Sequence, residues 1–274
     1  MSLFNSCDYN ISAACACNRG LRRANNEDNF YFDGKLMDSD NNGLEYVLTC
    51  TRRVSGHGED DGCFFAVFDG MGGGQYGEIA SYTAAIKTYE FLDEHVPDDY
   101  TDVAEMLTDM TLILNDAVFA ESSERAVNQM GSTMVGCYFY DGDVWCCNTG
   151  DSKCSRLRDG ELEQISVDHT DAETMKLNGI TGRKPYVTRY LGIDGREMRV
   201  VPAIFRDSLK DGDTLLISSD GLTDMVTPEK ITEILMGDED EEEKAQALLV
   251  EALKNGGRDN VTILICKVTA DQGE

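Results

Sequence analysis

Twice in this chain an apolar, strand-like run stops on an Asp-Gly pair. Phe64-Phe65-Ala66-Val67-Phe68 stops at Asp69-Gly70, and Leu215-Leu216-Ile217-Ser218-Ser219 stops at Asp220-Gly221. A third apolar run, Val261 to Val268, starts directly after Asp259-Asn260. A carboxylate at the tip of a buried strand is costly unless a cation meets it. Any fold for this chain must therefore bring these strand tips to a place where charge is compensated. After Asp69 come Gly70, Gly72, Gly73 and Gly74, residues that let a backbone approach a ligand closely. Gln75 to Leu92 then carries Ile79, Tyr82, Ile86 and Tyr89 at helical spacing. A second helix follows, with Leu107, Met110, Leu114, Ala117 and Val118 on one face.

The glycine turn permits a different reading. Gly72 to Gly77 satisfies G-x-G-x-x-G, a dinucleotide fingerprint. Here, however, Asp69 would aim negative charge at a pyrophosphate, and a helix stands where the fingerprint requires a strand. A solvated turn explains that stretch equally well when it is taken alone.

Charge narrows the classes of partner. The 274 residues hold 51 acids against 24 bases, a formal net charge of −27. Such a surface repels nucleic acid and anionic membranes, so neither is an expected partner. No apolar run is long enough to cross a bilayer, and no basic region precedes an apolar core near the start, so no signal peptide is expected. Solubility alone would explain the acids; ligands balanced by metal ions would explain them more sharply.

The ten cysteines do not read as disulfides. Cys63, Cys137, Cys146, Cys147, Cys154 and Cys266 lie in strand-like runs, where a thiol packs as a small hydrophobe. Cys15-Ala16-Cys17 points two thiols to one strand face. No Cys-x-x-Cys occurs and His57, His95 and His169 are scattered, so a zinc site is not expected. The reading is a reducing, cytoplasmic location.

The remaining chain alternates hairpins with helices. Asn10 to Asn18 and Asn29 to Phe32 read as strands flanking the polar stretch Arg22 to Asp28. Residues 37–62 read as an inserted hairpin or loop with an Asn42-Gly43 turn. Asp38-Ser39-Asp40 imitates a calcium loop, but Thr49 stands where the bidentate Glu should be. Gly131 to Tyr140, Asp143 to Asn148 and Lys153 to Leu157 read as strands, with Thr149-Gly150-Asp151-Ser152 as a break. A short helix from Asp168 to Leu177 precedes a basic, glycine-containing loop, Thr181 to Tyr186. Thr227-Pro228 signals a helix N-terminus, and Glu241 to Leu253 a further helix with acids at its start. The pattern predicts an α+β domain with helices covering sheets.

If the last strand runs antiparallel to those ending in Asp69 and Asp220, all three acids fall on one edge of the sheet. Three clustered carboxylates cannot all stay ionised without counter-charge, and no protein cation is an obvious candidate. Oxygen-only donors favour Mg²⁺ or Mn²⁺. Glu27, Asp28 and Asp151 can join the same rim, and Arg23 offers a fork for phosphate oxygens. Two ions about 3.5–4 Å apart among such acids would clamp a phosphoryl group.

In this order the motifs resemble those of the metal-dependent type 2C serine/threonine protein phosphatases, in their bacterial form. The motifs are Arg23-x-x-Asn26-Glu27-Asp28, Phe68-Asp69-Gly70-Met71-Gly72-Gly73, Gly131-Ser132-Thr133 and Asn148-Thr149-Gly150-Asp151-Ser152. Asp168-His169-Thr170, Val187 to Gly192, Ser219-Asp220-Gly221 and Asp259-Asn260-Val261-Thr262 complete the series across nearly the whole chain. The resemblance implies one catalytic domain over 1–274, an α+β fold of two packed, mostly antiparallel sheets flanked by helix pairs, a four-layer α-β-β-α sandwich. It implies hydrolysis of phosphoserine and phosphothreonine in proteins by metal-activated water, opposing a serine/threonine kinase. It also implies roles: Asp69 bridging two Mn²⁺ or Mg²⁺ ions, the Gly70 carbonyl on the second, Asp220 and Asp259 on the first. Glu27 and Asp28 would hold waters on the ions, Arg23 would anchor phosphate, and Asp151 would hold a third, weaker ion. Asp151 also reads as a plain turn cap. Thr188, Arg189 and His169 would form a supporting shell, and the expected state is a monomer.

Four departures stand out. Met71 replaces a His proposed in animal members to protonate the leaving group, Lys153 replaces an Arg, the flap over 170–187 is short, and 37–62 is long. A binding-only relative that keeps the fold, and an acidic calcium-binding protein, are the alternatives. The first usually lacks a metal aspartate, whereas Asp69, Asp220 and Asp259 are all present.

Overall fold

The structure, a computed structural model, describes residues 7–56, 62–71, 76–127 and 130–271. The glycine turn at 72–75, the first residue expected of the helix (Gln75) and His57 lie outside the described residues. In chain order the strands are β1 (Tyr9–Asn18), β2 (Asp28–Phe32), β3 (Leu48–Val54), β4 (Cys63–Met71), β5 (Gly131–Ser132) and β6 (Met134–Tyr140). They continue as β7 (Asp143–Thr149), β8 (Lys153–Arg158), β9 (Glu161–Gln164), β10 (Ala203–Ser208), β11 (Thr214–Ser218) and β12 (Val261–Ala270). The helices are α1 (Gly77–Glu94), α2 (Val103–Glu124), α3 (Ala172–Leu177), α4 (Asp220–Thr223), α5 (Pro228–Leu235) and α6 (Glu241–Lys254).

Two antiparallel sheets face each other. One has the order β3-β1-β12-β11-β8-β9, the other β10-β7-β6-β4-β2, with β5 paired to the end of β4. The unbroken apolar run of β4 follows from burial on both faces. Phe65 and Val67 point between the sheets, against Ile11, Phe30, Phe139, Ile217 and Leu264. Phe64, Ala66 and Phe68 point the other way, against Leu107, Met110 and Leu114 of α2 and Ala80 and Ala84 of α1. On the far side, Ile263 and Ile265 of β12 pack with Ile231 of α5 and Leu248 and Ala252 of α6. The period-two alternation of each strand thus feeds two neighbouring layers. The result is the four-layer α-β-β-α sandwich that the sequence motifs imply. Thr227 caps α5 by accepting from the Lys230 N–H, as the Thr-Pro signal predicts.

Two local expectations are corrected. Of the two readings of 37–62, hairpin or loop, the described residues of that stretch show no hairpin of its own. Leu48–Val54 adds to β1 as an edge strand, in register from Tyr9↔Val54 to Cys15↔Leu48. The Asn-Gly step is an Asx turn, Asn41 Oδ1 accepting from Gly43 N–H at 3.0 Å, and Gly43 bridges to Asn18. Second, the acids do not share one sheet edge. β11 and β12 are antiparallel neighbours in one sheet, whereas β4 lies in the facing sheet. Asp69 therefore meets Asp220 and Asp259 across the gap between sheets.

Both Asp-Gly glycines serve close backbone approach. A Cβ on Gly70 would lie 2.1 Å from the Gly77 carbonyl oxygen and 2.5 Å from that of Glu27. One on Gly221 would lie 1.8 Å from the Asn260 carbonyl oxygen. Gly221→Ala should therefore cost at least about 1–3 kcal/mol, the usual penalty of overpacking. Urea unfolding should show a lowered midpoint at unchanged slope; a wild-type midpoint would refute the close approach.

Candidate metal centre

The site begins with one buried carboxylate. Asp28 opens β2 opposite Asp69 of β4 in the antiparallel register. Its Oδ2 accepts from Ser219 Oγ and from Thr262 Oγ1, both at 2.7 Å. Ser219 follows β11 and Thr262 belongs to β12, so Asp28 ties one sheet to the other. Ser219 and Thr262 are themselves joined, Ser219 N–H to the Thr262 carbonyl at 3.1 Å and Thr262 N–H to Ser219 Oγ at 3.0 Å. Burial pushes the Asp28 carboxyl up to about 7; the two hydroxyls pull it down, and Asp220 and Asp259 push it further up.

In front of Asp28 opens a cavity of about 750 Å³. Arg23, Glu27, Asp69, Gly70, Asp151, Asp220 and Asp259 all line it, so every residue expected to hold an ion, a water or the phosphate, except Asp28, reaches this one space. Burial, then the charges of Asp28, Asp220, Asp259 and Asp151, raise Asp69 well above the usual carboxylate range. Burial also raises Asp220, against the pull of Lys184, and Glu27, against the pull of Arg23. Asp151 is pushed up to about 6 by burial and then by Asp220.

Backbone contacts hold each acid in place. Thr133 N–H donates to the Asp69 carbonyl at 2.8 Å, and Asp69 N–H donates to Thr133 Oγ1 at 3.1 Å. Thr133 Oγ1 lies 2.7 Å from Ser152 Oγ, which links the Asp69 tip to the Asp151 turn. Asn260 Oδ1 accepts from Glu27 N–H at 2.8 Å, and its Nδ2 donates to the carbonyls of Arg19 and Asn25 at 2.9 and 3.0 Å. Residue Gly150, at φ 117°, turns the chain before Asp151. Its N–H donates to His169 Nδ1 at 3.2 Å, and His169 N–H donates to its carbonyl at 2.9 Å. Arg189 Nη1 lies 3.2 Å from His169 Nε2 and donates to the Val201 carbonyl at 3.1 Å. His169, Arg189 and Thr188, whose N–H donates to the His169 carbonyl at 2.8 Å, thus buttress the turn without lining the cavity. Lys153 is engaged outside the cavity, 2.7 Å from Asp168.

The expectation that no protein cation answers these acids is corrected. Arg23 Nη2 donates to Asp259 Oδ2 at 2.7 Å, and its Nη1 lies 3.7 Å from Glu27 Oε2. Lys184 pairs with Asp220 and, at 2.6 Å, with Asp224. Sequence reasoning missed Lys184; its only signal was a basic loop in a very acidic chain. Met71 lines the cavity at the position where the resemblance places a His, and among the described residues no imidazole lines it.

The donor set suits hard divalent cations: carboxylate oxygens and a backbone carbonyl, with no thiol among the described lining residues. The carboxylates ring the cavity rather than close on one point. Among the described residues no three of their oxygens lie within 4.8 Å of one another. Such spacing suits ions that keep several waters, as Mg²⁺ does, better than a dry all-protein cage.

The sequence profile of the protein phosphatase 2C family matches residues 53–254. The chain belongs to that family. It is 32% identical over 260 residues to the serine/threonine protein phosphatase PstP of Mycobacterium tuberculosis, covering 93% of this chain and 44% of PstP. The chain thus spans less than half the length of that relative. The serine/threonine phosphatase stp of Listeria monocytogenes is 30% identical over 235 residues, 78% of this chain and 91% of that protein. The crystal structure of the PstP catalytic domain in complex with two manganese ions superposes with a TM-score of 0.74 at 29% identity, over 95% of this chain and 99% of that one.

The raised carboxyls set a pH dependence in chelator. Each holds its proton more tightly folded than unfolded, so folding takes up protons. That stability is complete below the ordinary carboxylate range and is lost as pH rises through about 6 for Asp151 and about 7 for Asp28. In EDTA, the melting temperature should fall between pH 5 and pH 8 (on the order of these titrations). Asp69→Asn should lessen the fall, because it removes one of the repelling acids. A melting temperature that rises across this range would contradict the clustering.

Proposed function

We propose that this chain is a metal-dependent protein phosphatase that hydrolyses phosphoserine and phosphothreonine, as a single catalytic domain. The observation that carries the proposal is the convergence of Asp69, Gly70, Asp220, Asp259, Glu27 and Arg23 on one cavity. Asp69, Asp220, Asp259 and the Gly70 carbonyl would hold two Mn²⁺ or Mg²⁺ ions, and Asp151 would hold a third more weakly. Bound ions of this kind activate water and neutralise charge on a transferring phosphoryl group.

The protein's own part is positioning. Arg23, roughly half exposed and lining the cavity, presents a guanidinium fork that can donate to phosphate oxygens. Asp259 and Glu27 hold that fork in place. Glu27 and Asp28 stand beside and behind Asp69, where carboxylates can orient water. Among the described residues neither a Cys nor a Ser lines the cavity, and the one hydroxyl that does, Thr133 Oγ1, is engaged by Asp69 N–H and Ser152 Oγ, which supports direct attack by water over a covalent phosphoenzyme. Lys184, Pro185 and Tyr186 close one side, so the loop carrying them would contact residues flanking the phosphorylated one. The substrates would be phosphoproteins made by a serine/threonine kinase. A reducing cytoplasm is supported by ten free cysteines. No described helix is long and apolar enough to cross a membrane.

The direct test is release of phosphate from a phosphothreonine peptide and from p-nitrophenyl phosphate. Turnover should require added Mn²⁺ or Mg²⁺ and vanish in EDTA. Full activity after exhaustive chelation would sink the reading, as would Ca²⁺ binding without turnover under any metal. A finer test concerns Arg23→Ala. Loss of a charge-assisted hydrogen bond of roughly 1.5–3 kcal/mol should lower kcat/KM by about 10- to 150-fold. The loss should appear mainly in KM, with Mn²⁺ affinity by calorimetry little changed. A collapse of kcat at unchanged KM would move Arg23 to the transition state.

A further inference from the structure

On the outer face of the sheet that holds β8 and β11, the helix layer stops short. Cys154 of β8 and Ile217 of β11 point between the sheets. Strand alternation therefore turns Lys153, Ser155, Leu216 and Ser218 outward. On β12 that outer face carries Ile263 and Ile265, covered by α5 and α6. On β8 and β9 it carries Lys153, Ser155 and Gln164 instead, and a cavity of about 450 Å³ opens there, bounded by α4 and the start of α5. Among the described residues it shares no lining residue with the acid-lined cavity.

Three side chains mark its polar wall. Ser218 is 1% exposed. Its Oγ and the Oγ1 of Thr223 are both buried, and neither has a hydrogen-bond partner among the described residues. Both residues line the cavity, and Asp224 lines it beside them. Leu216, Val226 and Ile231, all buried, form the apolar wall. Buried polar groups are normally paired, so two orphaned hydroxyls on one wall call for a polar partner inside the cavity. From these walls we infer a second binding site, which takes a small molecule carrying a primary ammonium on an apolar body.

Charge selects the ammonium. Lys153 also lines the cavity, but it is engaged by Asp168 at 2.7 Å and by Gln164 Oε1 at 3.2 Å. Lys184 is shared between Asp220 and Asp224. Asp168, Asp220 and Asp224 thus share two ammonium groups, which leaves one negative charge in surplus. A primary ammonium supplies one positive charge and three N–H donors, and it accepts nothing. Asp224 and the hydroxyl oxygens of Ser218 and Thr223 are three acceptors. The net charge of −27 draws cations toward the chain.

The other wall selects an organic cation over a metal ion. A hard ion needs oxygen on all sides, and Leu216, Val226 and Ile231 offer none. Covering them with hydrocarbon supplies the affinity that a half-exposed ion pair at Asp224 does not. The cavity volume lies within the range of small-molecule sites.

The site does not depend on the proposed hydrolysis, so the test uses the full chain in EDTA. Phenethylamine is the probe, followed by calorimetry and by protein amide NMR. It should bind saturably at one equivalent and shift the amides of Ser218, Thr223 and Val226. Phenethyl alcohol, which is neutral, and methylammonium, which lacks the apolar body, should each bind at least about tenfold more weakly. Ser218→Ala and Thr223→Val each remove one acceptor and should weaken binding about tenfold. Neither should lower the melting temperature, because the lost hydroxyl has no protein partner. Asp224→Asn should weaken binding about fivefold. Asp69→Asn, in the acid-lined cavity, should leave it unchanged. Should one hydroxyl variant not fold, the other and the two analogues decide. Absence of saturable binding overturns the inference. So do equal affinity for phenethyl alcohol, unchanged affinity in the folded hydroxyl variants, or loss of binding in Asp69→Asn, which would place the amine among the other acids.

Discussion

The structure turns on the two hydrogen bonds that Asp28 accepts from Ser219 and Thr262. They are one of the polar links between the two sheets; Arg156 and Arg158 of β8, both paired with Asp207 of β10, are another. A buried carboxyl is tolerable only when its oxygens are satisfied, and the two hydroxyls satisfy one of them at 2.7 Å each. Because Asp28 sits opposite Asp69, and Ser219 immediately precedes Asp220, this link fixes the separation of acids on opposite sheets. Glycine makes the approach possible: a Cβ on Gly70 or Gly221 would collide with backbone oxygen. Sheet packing and site geometry are therefore one constraint.

The same constraint concentrates negative charge. Arg23 and Lys184 answer it from loops, Arg23 on Asp259 and Lys184 on Asp220. Both side chains are about half exposed, so their pairs are screened and each contributes modestly to stability. That modest strength suits the site. On the proposed function, a divalent cation at Asp220 or Asp259 would have to compete only with weak partners. Arg23 and Lys184 would stay beside these acids, positive charges lining the same cavity as the carboxylates.

Much of this was legible in the sequence. An apolar run ending in Asp-Gly, twice, located Asp69 and Asp220, and the Asp259 start of β12 gave the third acid. The two-sheet sandwich followed from the ordered motifs. What escaped depended on how the sheets face each other. Asp69 was read onto the same sheet edge as the others, because one strand's pattern does not reveal its sheet. Leu48–Val54 and Glu161–Gln164 are edge strands with exposed residues, so their alternation is faint. Lys184 lay in a loop whose position over Asp220 has no local signal. Asn260, which binds Glu27, Arg19 and Asn25 at once, looked like a motif residue without a task.

Polar and apolar roles separate over the four residues 151–154 that lead into β8. Asp151 closes the turn into β8 and faces the oxygen-lined cavity, whereas Cys154, one residue into that strand, faces the interior between the sheets. Oxygen donors suit hard divalent ions, whereas a buried thiol packs as a small hydrophobe, so the two side chains serve different ends. Ser152, between Asp151 and Lys153, bonds Thr133 and so couples the strand to the Asp69 tip. The packing of Cys154 and the placement of Asp69 and Asp151 therefore share one short stretch of chain, held by Ser152 and Thr133, two buried hydroxyls 2.7 Å apart.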